Sequence, residues 1–256
     1  MTKLSETMKR VGWIIQRQEN GSWTVQASKA RHYVFSPQTG WSVPLQEIER
    51  ALQEDVKALE SGNLDPSRTL SRTTALDHTK HPSRPVVWIC KNGLVAGKRV
   101  LHLGTGLDRF AGKAMLDAGA VSVTDYDPNF FPDRSVLEKI YDVVVCNYVL
   151  NVLPPVERKL VYTDIATCTA PCGRAYLCVQ GKWPVLNRHR IVGTFEDGYV
   201  VLDGPSPHFR KGYDSAEFLA EIISAMGGRA RVLCMFYNNT LAQWIPGVST
   251  ARRDIQ

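Results

Sequence analysis

Between residues 11 and 36 short apolar runs are separated by polar turns. The runs are VGWIIQRQ, SWTVQA with Trp23, Val25 and Ala27 in alternation, and HYVF. A period of two puts one face of the chain on a core and the other in water, which predicts strands. Asn20-Gly21, between the first two runs, is a hairpin-turn pair. The period then lengthens: Leu45, Ile48, Leu52, Val56 and Leu59 recur at helical spacing. Ser42 is the expected cap of this helix, Pro44 suits its first turn, and Ser61-Gly62 is its stop. Residues 1–62 therefore predict a small β-meander plus helix module.

Residues 63–85 carry three prolines and many Ser/Thr without periodicity, and they predict a linker. From residue 86 the pattern alternates between strand-like and helical runs. A short helix, VVWICKNGL, leads to strand KRVLHLG, the loop TGLD, a helix through RFAGKAMLDAG and strand VSVTDYD. The buried-strand run YDVVVCN follows, then a helix VERKLVYTDIATC opened by Pro154-Pro155, a turn APCG and strand RAYLCV. IVGTFEDGYVV reads as a hairpin excursion. Asp214 with Glu217 forms a capping-box pattern before AEFLAEIISAM, and Gly227-Gly228 ends that helix. Two strands, RVLCMFY and LAQWI, joined through NNT, close the chain as an antiparallel pair on an otherwise parallel sheet. Residues 86–256 thus predict an α/β, doubly wound, Rossmann-like domain.

Composition narrows the function classes. The chain has 256 residues, 44% of them hydrophobic, which is enough for one large α/β core and a small module. No run approaches the roughly 18 to 20 apolar residues of a membrane helix, and MTKLSETMKRVG lacks an apolar signal region. The six cysteines fall mostly in apolar runs, where they act as small hydrophobes, and a reducing, cytoplasmic setting is expected. Cys168 and Cys172 have no second pair or spaced histidine, so no metal site is expected. The net charge is +6. Between residues 66 and 99, Arg68, Arg72, Lys80, Arg84, Lys91, Lys98 and Arg99 face a single acid, Asp77. Such a run is either a solvated face or a contact for a phosphate-rich partner.

The candidate chemistry centres on HLGTGLD, residues 102–108. Glycines directly after a parallel strand allow a sharp turn and let a ligand lie on backbone amides at the next helix. Gly104 and Gly106 fit that role, with Thr105 between them. An acid at the end of the second strand, Asp127 or Asp125, can accept hydrogen bonds from a ribose diol; Asp127 lies 21 residues beyond Gly106. A dinucleotide site needs glycine at position 109, which is Arg109 here, and no Gly-Lys-Ser/Thr marks a phosphate loop.

The stretch resembles the first motif of class I S-adenosyl-L-methionine-dependent methyltransferases, with His102 in place of the acid and Asp108 in place of the third glycine. YDVVVCNYVLNVLPPVER is similar to the fourth-strand region of that superfamily. More narrowly, SRPVVWICKNGLV, VTDYDP, CNYVLNVL, GTF and KGYDSAEFLAEI followed by FYNN are similar to methyltransferases associated with bacterial DNA phosphorothioation and to related phage proteins. That resemblance covers roughly residues 70–245. It implies the methyltransferase sheet, S-adenosyl-L-methionine as cofactor, and a cofactor site at His102, Gly104, Thr105, Gly106, Asp108, Asp127 and Asn147. The sequence departs from the superfamily between Asp127 and Tyr141: 13 residues are too few for a helix-strand-helix passage, so the third strand is expected to be missing or vestigial.

Methyl transfer from a sulfonium asks the protein chiefly to align the reactants and exclude water, so few side chains are obligatory. Asn147 is expected to face the methyl donor or the acceptor, or else to cap the turn after its strand. Tyr148 can stack on an acceptor ring. His102 either bonds the cofactor or sits satisfied in the core. His208, Arg210, Lys211 and Tyr213, in SPHFRKGY, either overhang the acceptor pocket or form a solvated loop, and Arg84 can bind a carboxylate or phosphate. His208 and Tyr213 join Asn147 and Tyr148 as catalytic candidates. Arg68, Arg72, Arg84, Arg210 and Lys211 are the candidate substrate contacts. Nucleic acid, with DNA first, is the expected acceptor; a small molecule, or a silent S-adenosyl-L-methionine-binding or nucleic-acid-binding role, is the alternative.

Overall fold

A computed structural model describes residues 2–27, 32–60, 75, 81–201 and 208–247. The N-terminal part opens with α1 (Thr2–Arg10), which the strand pattern does not anticipate. Its Met8, with Val11 after it, is buried against Trp13, Val25, Tyr33, Ile48 and Leu52. Strands β1 (Ile14–Arg17), β2 (Trp23–Gln26), β3 (His32–Ser36) and β4 (Gly40–Trp41) form a four-stranded antiparallel meander, and α2 (Leu45–Glu60) covers it. The Asn20 side chain accepts bonds from the Ser22 amide and hydroxyl, which closes the first hairpin around Gly21. Ser42 does not cap α2. Its hydroxyl accepts from the Val34 amide and so extends the pairing of β3.

The remaining chain builds a six-stranded sheet. Its strands are β5 (Arg99–Leu103), β6 (Ser122–Tyr126), β7 (Tyr141–Asn147), β8 (Thr169–Val179), β12 (Arg229–Phe236) and β13 (Asn239–Ile245), in the order β12-β13-β8-β7-β5-β6. β5, β6, β7 and β8 pair in parallel, and β13 runs antiparallel to both β8 and β12. The fold is the doubly wound, mostly parallel, Rossmann-like α/β sheet expected, with its antiparallel C-terminal pair. Among the described residues no strand lies between β6 and β7. A 3-10 turn (Arg134–Glu138), opened by Asp133, fills the interval and leaves β6 as the edge.

Alternate residues of β7 show the winding. Val143 and Val145 pack with Val86 and Ile89 of α3 (Arg84–Lys91) and with Ala111 and Met115 of α4 (Ala111–Asp117). Val144 and Cys146 pack on the other face with Val161 and Ile165 of α5 (Pro155–Cys168) and with Phe218 and Ile222 of α7 (Ser215–Met226). A strand buried on both faces reads as the continuous apolar run seen in the sequence.

Three local expectations change. The turn expected at APCG is part of β8. Gly173 serves there as a close approach, since a Cβ would lie 2.8 Å from the Asp142 carbonyl oxygen. The capping box before α7 does not form, because Asp214 and Glu217 both turn to Lys182 of α6 (Lys182–Arg188). The last hairpin turns at Tyr237-Asn238, both at positive φ, and Asn239 already belongs to β13. The excursion after α6 is a three-stranded antiparallel sheet of β9 (Ile191–Phe195), β10 (Gly198–Val201) and β11 (His208–Arg210). Among the described residues no helix is long and apolar enough to cross a membrane.

Candidate active site

The chain leaves β5 towards β6 on one side and returns through β7 on the other. The carboxyl ends of these strands therefore diverge, as at ligand crevices in open α/β sheets. A cleft opens there, and His102, Gly104, Thr105, Gly106, Asp108, Asp127 and Asn147 all line it, together with Tyr148 and Arg210.

The glycine turn is built by backbone bonds. Gly104 sits at φ +75, and the Gly104 and Thr105 amides both donate to the Tyr126 carbonyl at 2.7 and 3.2 Å, folding the turn over the end of β6. A Cβ on Gly104 would overlap Val149 Cγ2, so the first glycine also admits the chain leaving β7. The 21-residue step is realised as a direct bond: the Gly106 amide donates to Asp127 Oδ2 at 3.0 Å. The Asn129 amide donates to Asp127 Oδ1 at 2.8 Å. Burial pushes the Asp127 carboxyl up, against the pull of these amides and of His102. Three backbone amides, those of Gly106, Asn129 and Phe130, therefore point at a carboxylate with about four acceptor sites.

Asp108 has a different employment. Its Oδ2 accepts from the Ser83 amide at 2.9 Å, while Oδ1 accepts from the Phe110 and Ala111 amides at 3.3 and 3.1 Å. The carboxylate thus satisfies orphan amides at the start of α4 and ties the entry of α3 to the glycine turn. His102 is buried with Nδ1 3.3 Å from Asp125 Oδ1, its register partner on β6. The Thr105 hydroxyl lies 3.0 Å from the same oxygen and 2.8 Å from the His102 carbonyl.

At the end of β7, Asn147 is buried, and among the described residues neither its amide nitrogen nor its oxygen has a hydrogen-bond partner. A buried amide with four unmet bonding positions that also lines a cleft is suited to a polar ligand. Tyr148 follows at φ +61, a conformation that stores strain in a non-glycine residue. Its hydroxyl accepts from Asn239 Nδ2 at 3.4 Å, and burial raises its pKa, so the phenol stays protonated at neutral pH.

No family model matches the chain, and no curated protein matches it. Solved structures do match. One is the DhpI complex with SAH, at 16% identity, over 64% of this chain and 83% of that one, with a TM-score of 0.43. The glycopeptide N-methyltransferase MtfA with S-adenosyl-L-homocysteine matches at 12% identity, over 67% and 92%, with a TM-score of 0.43. The magnesium protoporphyrin IX methyltransferase of Synechocystis PCC 6803 with bound SAH matches at 16% identity, over 63% and 80%, with a TM-score of 0.39.

The other predicted residues scatter. Lys211 and Tyr213 are buried outside the cleft lining in an ion-pair network. Lys211 Nζ meets Asp197, Glu217 and Glu221 at 2.7, 3.0 and 3.1 Å. Arg158, 3% exposed, pairs with Asp197 and Glu221 and donates to the Leu153 carbonyl. The Tyr162 and Tyr213 hydroxyls both donate to Glu221 at 3.1 Å. Lys211 and Tyr213 therefore lock the hairpin excursion onto α5 and α7. His208 is buried on β11 and does not line the cleft. Arg84 opens α3, with its guanidinium 4.4 Å from the Tyr237 ring centroid. Arg68 and Arg72 lie outside the described residues. No group of His, Cys, Asp or Glu among the described residues could hold a metal ion.

Sequence reasoning missed Ser83, whose buried hydroxyl lines the cleft with no partner among the described residues. It also missed Val149 and Asn239. The SRP and FYNN segments contained two of these, but nothing local shows that they meet the strand ends.

Proposed function

We propose that the protein is an S-adenosyl-L-methionine-dependent methyltransferase acting on nucleic acid, DNA first. The observation that carries the reading is the meeting, in one cleft at the strand ends, of the Gly104–Gly106 turn, the buried Asp127 carboxylate, and the partnerless Asn147 amide. These residues fit the cofactor: a carboxylate at the end of the second strand with a remaining acceptor site suits a ribose hydroxyl, and an amide offering donor and acceptor suits a zwitterionic amino acid end. When bound, the cofactor supplies an electrophilic methyl group on a sulfonium. The chain's own part is positioning. Gly104, Thr105 and Gly106 supply a tight backbone surface, Asp127 accepts a hydrogen bond from a hydroxyl, and Asn147 orients the end nearest transfer. Tyr148, whose hydroxyl is engaged by Asn239 and Cys178, offers a ring surface rather than a base. Asp108, with its oxygens engaged by three amides, contributes by holding the turn.

The basic run from residue 66 to 99, with Arg84 beside the cleft and Arg210 lining it, supports a phosphate-rich acceptor. In this reading residues 1–62 form a module joined through a basic linker, residues 63–85, to a catalytic domain, residues 86–256. The test offers methyl-labelled cofactor to DNA, RNA and a metabolite extract side by side. Label in DNA is expected. Label confined to RNA or to small molecules replaces the acceptor, and label in none overturns the activity.

A further inference from the structure

Two aromatic rings stand exposed on segments that lead towards the cleft, and each carries an arginine. Tyr237, 68% exposed, sits at the tip of the β12–β13 hairpin with the Arg84 guanidinium 4.4 Å from its centroid. Trp183, 52% exposed, lies on α6 with the Arg188 guanidinium 5.5 Å from its centroid. Among the described residues, no carboxylate lies within salt-bridge distance of Arg84 or Arg188, whereas Lys182, next to Trp183 in the chain, is neutralised by Asp214 and Glu217.

The segments that carry the two pairs meet. A Cβ on Gly181 would overlap the Asn238 carbonyl oxygen, so the residues flanking Trp183 and Tyr237 touch through their backbones. Asn239 continues the line inward, accepting from the Gly181 amide at 3.4 Å and donating to the Tyr148 hydroxyl at 3.4 Å. Arg84 follows Ser83, which lines the cleft and is anchored to Asp108. A strip therefore runs from Trp183 across Gly181 and Tyr237 to the lip beside Tyr148.

We infer that this strip docks an unpaired nucleic-acid strand, an inference that rests on the nucleic-acid reading above. The chemistry is specific in two ways. A ring already covered on one face by a guanidinium keeps its other face for a second planar ring, and every nucleobase offers one. An arginine without a carboxylate partner takes a phosphate oxygen with charge-assisted bonds. Exposed rings beside cations that lack carboxylate partners suit the bases and phosphates of a single strand. Paired bases in a duplex hide their faces, and an acidic peptide brings charge without rings.

The test measures anisotropy of one labelled oligonucleotide as single-stranded DNA, single-stranded RNA and duplex, against wild type, Trp183→Ala, Tyr237→Ala and Arg84→Gln/Arg188→Gln. Cofactor affinity and circular dichroism are followed in parallel. Single strands are expected to bind more tightly than duplex. Each aromatic variant should weaken strand binding by roughly fivefold to a hundredfold. The double arginine variant should flatten the log–log salt slope by about 1.4, two phosphates' worth. Cofactor affinity should stay within about twofold, because the strip is not part of the cofactor site. DNA and RNA arms that bind alike support the strip, and a preference between them names the strand. Unchanged strand affinity in the aromatic variants, or equal binding of duplex, overturns the proposal, as does competition by a mononucleotide at the strand's own affinity. A strand that binds through the strip but is never methylated overturns the acceptor assignment alone. Methylated DNA with strip variants that bind normally overturns the strip alone.

Discussion

Replacing Gly104 with alanine separates two physical reasons for a glycine at the turn after β5. The residue sits at φ +75, and an L side chain in the left-handed region costs about 1 to 2 kcal/mol. The added Cβ would also overlap Val149 Cγ2, and overpacking of this kind costs typically about 1 to 3 kcal/mol. Gly104→Ala should therefore destabilise the fold by roughly 2 to 5 kcal/mol. Gly106→Ala is the internal control. Its φ is +57, but the nearest atom to its Cβ is Ala75 Cβ at 3.6 Å, an ordinary contact, so only the backbone cost of about 1 to 2 kcal/mol applies. Trimming the obstacle with Val149→Ala should recover the steric part in the Gly104→Ala protein and leave Gly106→Ala unaffected. Urea unfolding of the four proteins and the two double variants measures this as a double-mutant cycle. Equal losses for the two glycine variants, or no recovery with Val149→Ala, would refute the steric account of the turn.

Three further expectations follow from buried polar groups. Arg158→Met strips the buried guanidinium from the partly exposed carboxylates of Asp197 and Glu221, which keep Lys211, and should cost about 1.5 to 3 kcal/mol, read by the urea midpoint, as charged hydrogen bonds are lost; a loss under 1 kcal/mol would mean the network is ornamental. Burial alone would raise the carboxyls of Asp197 and Glu217, but Arg158 and Lys211 at the first, and Lys211 and Lys182 at the second, outweigh it and hold both low. Their contribution is thus fully present above the ordinary values of 3.8 and 4.5 and is lost as pH falls through the lowered ones. The melting temperature should drop across that acid window, less steeply in Asp197→Asn/Glu217→Gln, and an identical pH profile in the variant would contradict the sign. Trp13→Phe removes the buried indole bond to Asp55 at 2.7 Å and should lower stability by about 1 to 3 kcal/mol by calorimetric melting; an unchanged melting temperature would contradict it.

Much of the site was legible because its parts are tied to strand ends. The glycine turn follows β5 directly, and the step from Gly106 to Asp127 is the length of one helix and one strand, so it becomes a hydrogen bond. The short interval after Asp127 likewise leaves no length for a third strand. What was not legible depends on partners far along the chain. Lys211 reads as a basic loop residue until α5, α7 and the Asp197 turn deliver carboxylates and an arginine around it. Asp214 and Glu217 form a capping pattern locally, yet Lys182, some thirty residues earlier, takes both. Asp108 looks like a damaged third glycine, whereas its side chain caps α4 and holds Ser83. Gly104 advertises a turn, but its second reason, Val149, becomes visible only when β7 lies beside β5.

The central claim, that the cleft holds the methyl donor on Gly104, Gly106 and Asp127, is tested most directly by calorimetric titration of S-adenosyl-L-homocysteine into wild type and Asp127→Asn. The account predicts saturable one-site binding to the wild type. It predicts binding weaker by roughly tenfold or more in the variant, the effect of losing charge-assisted bonds. No binding by folded wild-type protein, or equal affinity in the two proteins, would contradict it.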